Sequence, residues 1–155
     1  MNAKGFTLIE LLIVVAIIGI IAAIAIPNLL VALQKGKQKA TMGDMTSIGQ
    51  AVESYITDWS FAPAAGGTSV TDLDQPWFRA FYIKILPVRD SWGTIFEYAA
   101  GTGDEIDLYS ITSWGRDKAD GDMPAQEYDV TSLFHFNNDI TYSCGHFTVG
   151  PRVRK

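Results

Sequence analysis

An α+β fold is predicted for this chain of 155 residues by three features of its sequence. In such a fold a long N-terminal helix packs on a small antiparallel sheet. The first is an unbroken apolar run close to the N-terminus. The second is an amphipathic helical stripe that follows this run. The third is a series of short β-type segments, separated by Gly- and Asp-rich turns, in the rest of the chain.

The apolar run covers residues 6–26 and contains one charged side chain, Glu10. As a helix it would be about 31 Å long, which matches the hydrocarbon thickness of a bilayer. A cleavable secretory signal would have a shorter apolar region and a small-x-small cleavage site after it. Here only MNAK precedes a long run, and polar helix follows it. We therefore predict a retained transmembrane helix over residues 6–27.

Residues 28–57 are predicted to continue this helix as an amphipathic half. Met45, Ile48, Val52 and Tyr55 recur at steps of three, four and three residues, which places them on one helical face. Pro27 has no amide hydrogen, and its ring clashes with the carbonyl four residues back. A kink or local melting is therefore expected at residues 23–27.

Residues 58–155 are predicted to form a sheet domain. TIFEY, IDLYSIT and DITYS have strand composition, HFTV is a fourth candidate, and DSWG and AAGTGDE are turns. Ile106 and Leu108 alternate with polar neighbours, which predicts that one face of this strand is buried. PWFRAFYIKILP is apolar enough for a short helix or a strand, and its sequence does not decide between them.

Composition and motifs argue against nucleic-acid binding and against catalysis. After Ala40 the chain has sixteen acidic and eight basic residues, an imbalance opposite to that of a nucleic-acid-binding domain. The sequence contains no GxxxxGK[ST] phosphate loop, no GxSxG elbow and no HExxH motif. Cys144 is the single cysteine, so no intramolecular disulfide can form. The chain is predicted not to be an enzyme.

An acidic loop at residues 113–122, SWGRDKADGD, is the one segment that suggests a ligand. It places Asp117, Asp120 and Asp122 close together, with two glycines to turn the chain. Calcium takes about six to eight oxygen ligands, a mixture that such a loop can supply from carboxylates and carbonyls. The spacing is not that of an EF-hand. From the residues alone, a solvated acidic turn is the favoured alternative.

The N-terminal stretch GFTLIELLIVVAIIGIIAAIAIPNLL resembles the class III signal and N-terminal helix of type IV pilins and pseudopilins. The segments KATMGDMTSIGQAVESY, DSWGTIFEY and IDLYSITSWGRDKADGD further resemble the major pseudopilin of type II secretion systems, the general secretion protein G family. Three features depart from that family. Ser91 stands where DPWG is common, Lys118 stands where a glycine is frequent, and an extension at residues 123–155 follows the loop.

The resemblance implies a processing site and an assembly site. A prepilin peptidase would cut between Gly5 and Phe6, which makes residues 1–5 a leader peptide, and Phe6 would then be N-methylated. Glu10, the fifth mature residue, would pair with the Phe6 amine of a neighbouring subunit when the helices bundle. Pro27 matches the proline of the family's polymerisation helix.

The resemblance also implies a location and partners. Loop charge leaves the orientation open, because lysines lie on both sides of the apolar run. The family places the N-terminus in the cytoplasm, a single pass in the bacterial inner membrane, and the sheet domain in the periplasm. Subunits would polymerise into a helical homo-oligomer with minor pseudopilins, on an inner-membrane assembly platform. The pseudopilus would drive protein export across the outer membrane. The alternatives are a type IV pilin of a surface pilus, which serves motility, adhesion or DNA uptake, and a membrane-anchored periplasmic enzyme or binding protein.

Finally, the resemblance strengthens the calcium hypothesis. In the family, a loop at this position binds calcium and replaces the disulfide-closed loop of many type IV pilins. The implied ligands are Asp117 with Asp120 or Asp122, or Asp139 from the extension.

Overall fold

The computed structural model describes residues 5–64, 68–121, 127–130 and 132–152. Within them lie a long helix α1 (Leu8–Trp59), a short helix α2 (Pro76–Phe81) and a five-stranded sheet. The strands are β1 (Glu97–Ala100), β2 (Tyr109–Ser113), β3 (Glu127–Tyr128), β4 (Ile140–Ser143) and β5 (His146–Pro151). The predicted α+β class is confirmed.

Helix α1 runs without a break for 52 residues. It ends at Ser60, which takes a left-handed conformation with φ of 63° and donates its amide to the Ile56 carbonyl. Pro27 lies inside the helix, and residues 23–27 are all helical, so the expected local melting is wrong. The Asn28 side chain donates to the Ile24 carbonyl at 3.1 Å, an additional bond across the turn that contains the proline.

The sheet order is β1-β2-β4-β5-β3. All neighbouring pairs are antiparallel except β3, which runs parallel to β5. The predicted strands at DITYS and HFTV are confirmed as β4 and β5. Strand β3 was not predicted, because its two residues are too few to show a period of two. Ile111 of β2 lies opposite Tyr142 of β4, so both face the same layer of the core.

The core lies between the second half of α1 and one face of the sheet. The predicted stripe is confirmed, because Met45, Ile48, Val52 and Tyr55 are all buried. A Cβ added to Gly49 would overlap the ring of Tyr142, so this glycine lets β4 approach the helix closely. Packing on the sheet therefore stabilises this half of α1, whose glycines lower its helical propensity.

The prediction for residues 106–109 is wrong about which face is buried. Ile106 and Leu108 are 47% and 41% exposed, whereas Tyr109 and Ile111 are buried. Strand β2 begins only at Tyr109, because the Gly101 amide bonds to the Leu108 carbonyl at 2.8 Å and closes the β1–β2 turn there. Residues 106–108 thus belong to the turn, so their alternation of apolar and polar side chains does not correspond to the two faces of a sheet.

The undecided segment PWFRAFYIKILP contains helix α2. Pro76 occupies its first turn, where a missing amide hydrogen has no cost. Phe78 is the residue by which α2 is anchored in the core.

The domain extends along α1 from a base, beside the apolar half, to a distal end. At the base, the Trp92 indole donates to Gln34 at 2.8 Å and the Gln38 amide donates to Tyr128 at 3.2 Å. At the distal end, the Tyr109 hydroxyl donates to Glu53 at 2.9 Å. The apolar half of α1 projects beyond the base as a separate element.

Candidate functional site

The N-terminus of α1 is closed by a capping box made by Thr7 and Glu10. The Glu10 amide donates to the Thr7 hydroxyl at 3.3 Å, and Glu10 Oε2 accepts from the Thr7 amide at 2.9 Å and from the Thr7 hydroxyl at 2.6 Å. Such reciprocal bonds satisfy amide hydrogens that the first helical turn leaves without partners. The T-x-x-E spacing shows this box in the sequence, but Thr7 was not predicted as a site residue.

The remainder of this segment is exposed in the part of the chain that the structure describes. Phe6 is 73% exposed, and nothing approaches within 4 Å of a Cβ added to Gly5. The apolar half of α1 is exposed all round, and an 18-residue window of it, with a mean hydropathy of 3.1, is 0% buried. By length and composition α1 can cross a membrane. In water, so much exposed apolar surface on one helix would be strongly unfavourable, so this half requires lipid or other helices around it.

The acidic loop follows β2 and is tied to the segment that precedes β4. The Arg116 amide donates to the Phe136 carbonyl at 2.7 Å, and its Nε donates to Asn137 Oδ1 at 2.9 Å. Gly115, with φ of 66°, lies so close that an added Cβ would be 2.6 Å from the Asn137 carbonyl oxygen. The loop is therefore docked on the chain, through backbone contacts that only a glycine permits.

Asp139 lies next to the loop, although it is distant in sequence. Its residue is 0% exposed, and Oδ2 accepts from the Gly121 amide at 3.2 Å. Asp139 immediately precedes β4, and the pairing of Ser113 with Ile140 brings it to the end of β2 where the loop begins. Asp139, which the sequence offered as an alternative ligand, therefore lies beside the loop.

The other predicted ligands are arranged differently. Asp117 and Asp120 are exposed, and Asp117 Oδ1 accepts from the Ala119 amide at 3.2 Å. Asp122 lies outside the described residues. Lys118, where the family often has glycine, adopts a left-handed φ of 62°. Among the described residues no three acidic, histidine or cysteine side chains converge to hold a metal by themselves.

The phenol of Tyr128, near Asp139, is kept neutral chiefly by its burial. Burial raises the pKa of Tyr128 far above its usual value, and the negative charge of Asp139 raises it further. The Tyr128 phenol is therefore uncharged, and its oxygen accepts a hydrogen bond from the Gln38 amide at the base of α1.

The long N-terminal apolar helix packed on a small, mostly antiparallel sheet is an α+β, pilin-like arrangement. The first part of the chain, residues 1–26, matches the prokaryotic N-terminal methylation motif. Residues 28–133 match the family model of the type II secretion system (T2SS), protein G, and the chain belongs to this family.

Curated relatives agree with the family model. The chain is 34% identical to the type II secretion system core protein G of Pseudomonas aeruginosa, over 81% of this chain and 95% of the relative. The proteins of the same name from Vibrio cholerae and Escherichia coli are 33% and 28% identical, over 76% and 83% of this chain and 85% and 90% of the relatives. No solved structure is significantly similar to the chain.

The family match ends at residue 133, before β4 and β5. The structure nevertheless places these two strands inside the sheet order, and Ile140 and Tyr142 in the core. The C-terminal extension is therefore an integral part of the domain rather than an appendage.

Proposed function

We propose that this protein is a structural subunit of a type II secretion pseudopilus that polymerises through the apolar half of α1. The observation that carries the proposal is this half-helix, which belongs to a protein G family member and is not buried by any of the described residues. In the membrane its neighbours are lipid chains, and in the filament they are the same helices of other subunits. The role is mechanical, and it requires no catalytic group.

Topology and partners follow from the processing site. A prepilin peptidase that acts from the cytoplasm would cut between Gly5 and Phe6, so the N-terminus faces the cytoplasm and the sheet domain faces the periplasm. The open surroundings of Gly5 support this, because a peptidase must bring its catalytic groups to this bond. An inner-membrane platform and minor pseudopilins then assemble the subunits into a filament that moves proteins through an outer-membrane channel.

Replacing Gly5 by leucine should leave the precursor uncut, because a bulky side chain next to the scissile bond obstructs the approach of the peptidase. An immunoblot would show a retained, slightly larger band, and mass spectrometry would find residues 1–5 still attached to Phe6. The matched control is Gly19→Leu, since Gly19 is also open but lies well inside the helix. Efficient cleavage of Gly5→Leu would contradict the assignment of the processing site.

We also propose calcium as the ligand of the acidic loop. Support comes from the buried Asp139 carboxylate, which faces the loop through the Gly121 amide, and from the exposed Asp117 and Asp120 next to it. The left-handed residues Gly115, Lys118 and Gly121 turn the loop tightly, and hard cations are commonly held in such loops by carboxylates together with backbone carbonyls. Asp139, Asp117 and Asp120 would hold the ion, with backbone carbonyls or Asp122 as further ligands. The ion would join the acidic loop to Asp139, which immediately precedes β4.

Calcium should raise the thermal midpoint of the full chain in detergent, relative to chelator. A ligand that binds only the folded state adds about 2.7 kcal/mol to the unfolding free energy at a hundredfold excess over Kd. Asp117→Ala and Asp139→Asn should each remove most of this calcium-dependent shift, whatever they do to the midpoint in chelator. Asp107→Ala, an exposed carboxylate in the β1–β2 turn, is the control and should keep it. Equal wild-type midpoints with calcium and with chelator would mean that the loop is a solvated turn.

A further inference from the structure

Charge is distributed unevenly along the half of α1 that carries the domain. At its base, Lys35 and Lys39 are exposed and lie one turn apart on the same flank of the helix. The sequence has no acidic residue between Glu10 and Asp44, and neither lysine forms an ion pair within the described part of the chain. This basic flank, Lys35 and Lys39, therefore has no ion-pair partner among the residues that the structure describes.

The opposite end of the domain combines carboxylates with exposed apolar side chains. The Ala62 amide donates to the Ile106 carbonyl at 2.7 Å, which holds the β1–β2 turn against the end of α1. Trp59 is 58% exposed and Ile106 is 47% exposed. We call this the distal surface, and its members are Asp58, Trp59, Glu105, Ile106 and Asp107, of which the three acidic residues are all exposed.

The two surfaces are too far apart to interact within one subunit. At 1.5 Å per residue, the centre of the basic flank and Asp58 are separated by about 32 Å along α1. This distance is about four Debye lengths at physiological salt, each about 8 Å, so salt screens the attraction between the two surfaces within one subunit. Two parallel copies displaced along the helix axis by this distance would bring the distal surface of one copy to the basic flank of the next. A contact between two different surfaces repeats without closing and so generates a filament.

We propose that the distal surface of one subunit docks on the basic flank of a second copy further along the same filament. This inference rests on the proposed function, because it requires parallel subunits displaced along a common axis. Glu105 and Asp107 would face Lys35 and Lys39, while Trp59 and Ile106 would cover the lysine stems. Ammonium groups are attracted to the faces of tryptophan rings, and lysine stems pack on apolar surface while the charge stays in water.

The contact would set the axial register of parallel subunits more than the strength of their association. Single exposed ion pairs contribute little to stability, so the apolar half of α1 still supplies most of the binding. Complementary charges, however, reject wrong arrangements, because like charges facing each other are unfavourable. Parallel subunits without this axial displacement would bring two distal acidic surfaces together, and two basic flanks together.

Charge reversal tests the pairing directly in filaments sheared from cells that express the full chain. Lys35→Glu with Lys39→Glu should lower the filament yield by about tenfold, and so should Glu105→Lys with Asp107→Lys, since each converts two attractive pairs into repulsive ones. The quadruple variant, which restores opposite charges with the signs exchanged, should recover the yield to within about twofold of wild type. The matched control combines the two lysine changes with Glu127→Lys and Asp129→Lys, two exposed acids near the base of the domain, and should not recover.

Cross-linking gives a second measurement on filaments with wild-type charges elsewhere. In a Cys144→Ser background, Lys35→Cys with Asp107→Cys should yield a ladder of cross-linked subunits with a short bismaleimide, and either cysteine alone should not. Absence of filaments in the wild type would overturn the proposed function and this inference together. Wild-type filaments with no rescue in the quadruple variant, or with no ladder, would overturn this inference alone. The same holds if the lysine changes only reduce membrane retention, which would assign the flank to anionic lipid headgroups.

Discussion

Glu10→Gln is expected to lower the yield of sheared filament by about two to three orders of magnitude, and Glu10→Lys to lower it further. In the bundle of apolar helices, the Phe6 amine produced by cleavage would be buried without its carboxylate. An unpaired buried charge of this kind costs about 3–5 kcal/mol, which shifts an assembly equilibrium by that factor. Lysine adds a like charge at the same place. Shearing followed by blotting measures the yield, and a secreted reporter gives a parallel measure.

The capping box makes glutamine an informative substitution. Glu10 accepts bonds from the Thr7 amide and hydroxyl, and a glutamine carbonyl can accept the same bonds. Both residues follow the cleavage site, so the box persists in the processed subunit. Glu10→Gln therefore removes the charge while it keeps the helix N-terminus closed, and membrane insertion and cleavage should proceed.

Asp44→Asn is the matched control, because it neutralises a half-buried carboxylate on the same helix outside the apolar half. Its filament yield should stay close to that of wild type. Co-expression of Glu10→Gln with wild type should partly restore its incorporation, because the pairing joins two subunits and some junctions stay intact. Wild-type yield from Glu10→Gln alone would show that the carboxylate does not meet the amine.

The helical part of the fold was predictable because its signals are long and redundant. The apolar run is as long as a membrane is thick, and the stripe of Met45, Ile48, Val52 and Tyr55 repeats over three turns. Errors at single positions do not change such patterns. The effect of Pro27 was overestimated because one missing hydrogen bond in a 52-residue helix does not unwind it when the helix continues on both sides.

The sheet was less predictable because short strands depend on where their turns close. A period-two pattern that is displaced by one residue exchanges the two faces. At residues 106–109 the alternation is regular, yet the bond from the Gly101 amide to the Leu108 carbonyl starts the strand later, so Tyr109 and Ile111 point to the core. Nothing local in IDLYSIT encodes that bond.

The candidate calcium site, too, was only partly predictable from the sequence. Asp117 and Asp120 are adjacent in sequence to the loop glycines, so composition alone revealed a possible site. Asp139 reaches the loop only through the pairing of β2 with β4, and sequence order could name it as an alternative but not choose it. Long-range pairing, rather than residue type, determines which carboxylate is buried there.

Gly115→Ala should destabilise the domain by about 2–4 kcal/mol, the sum of a left-handed conformation and an overpacked contact. Gly115 has φ of 66°, and an added Cβ would lie 2.6 Å and 2.8 Å from the backbone oxygens of Asn137 and Asn138. These oxygens belong to the backbone that leads into Asp139 and β4, so they cannot move away from an added Cβ without displacing Asp139 and β4. Unfolding of the full chain in detergent and chelator, followed by near-ultraviolet circular dichroism, measures the loss without any contribution from a bound metal.

Two other glycines separate the causes. Gly103 also has a left-handed φ, of 70°, but nothing lies within 4 Å of an added Cβ, so Gly103→Ala should show the conformational cost alone. Gly43 lies on an exposed turn of α1 with open space around it, and Gly43→Ala should stabilise the helix by about 0.5–1 kcal/mol. A loss at Gly115 no larger than at Gly103 would mean that the close approach to Asn137 and Asn138 does not hold the loop in place. In that case Asp139 would be brought to the acidic loop by the β2–β4 pairing alone, and Gly115→Ala would leave the calcium-dependent rise in the midpoint unchanged.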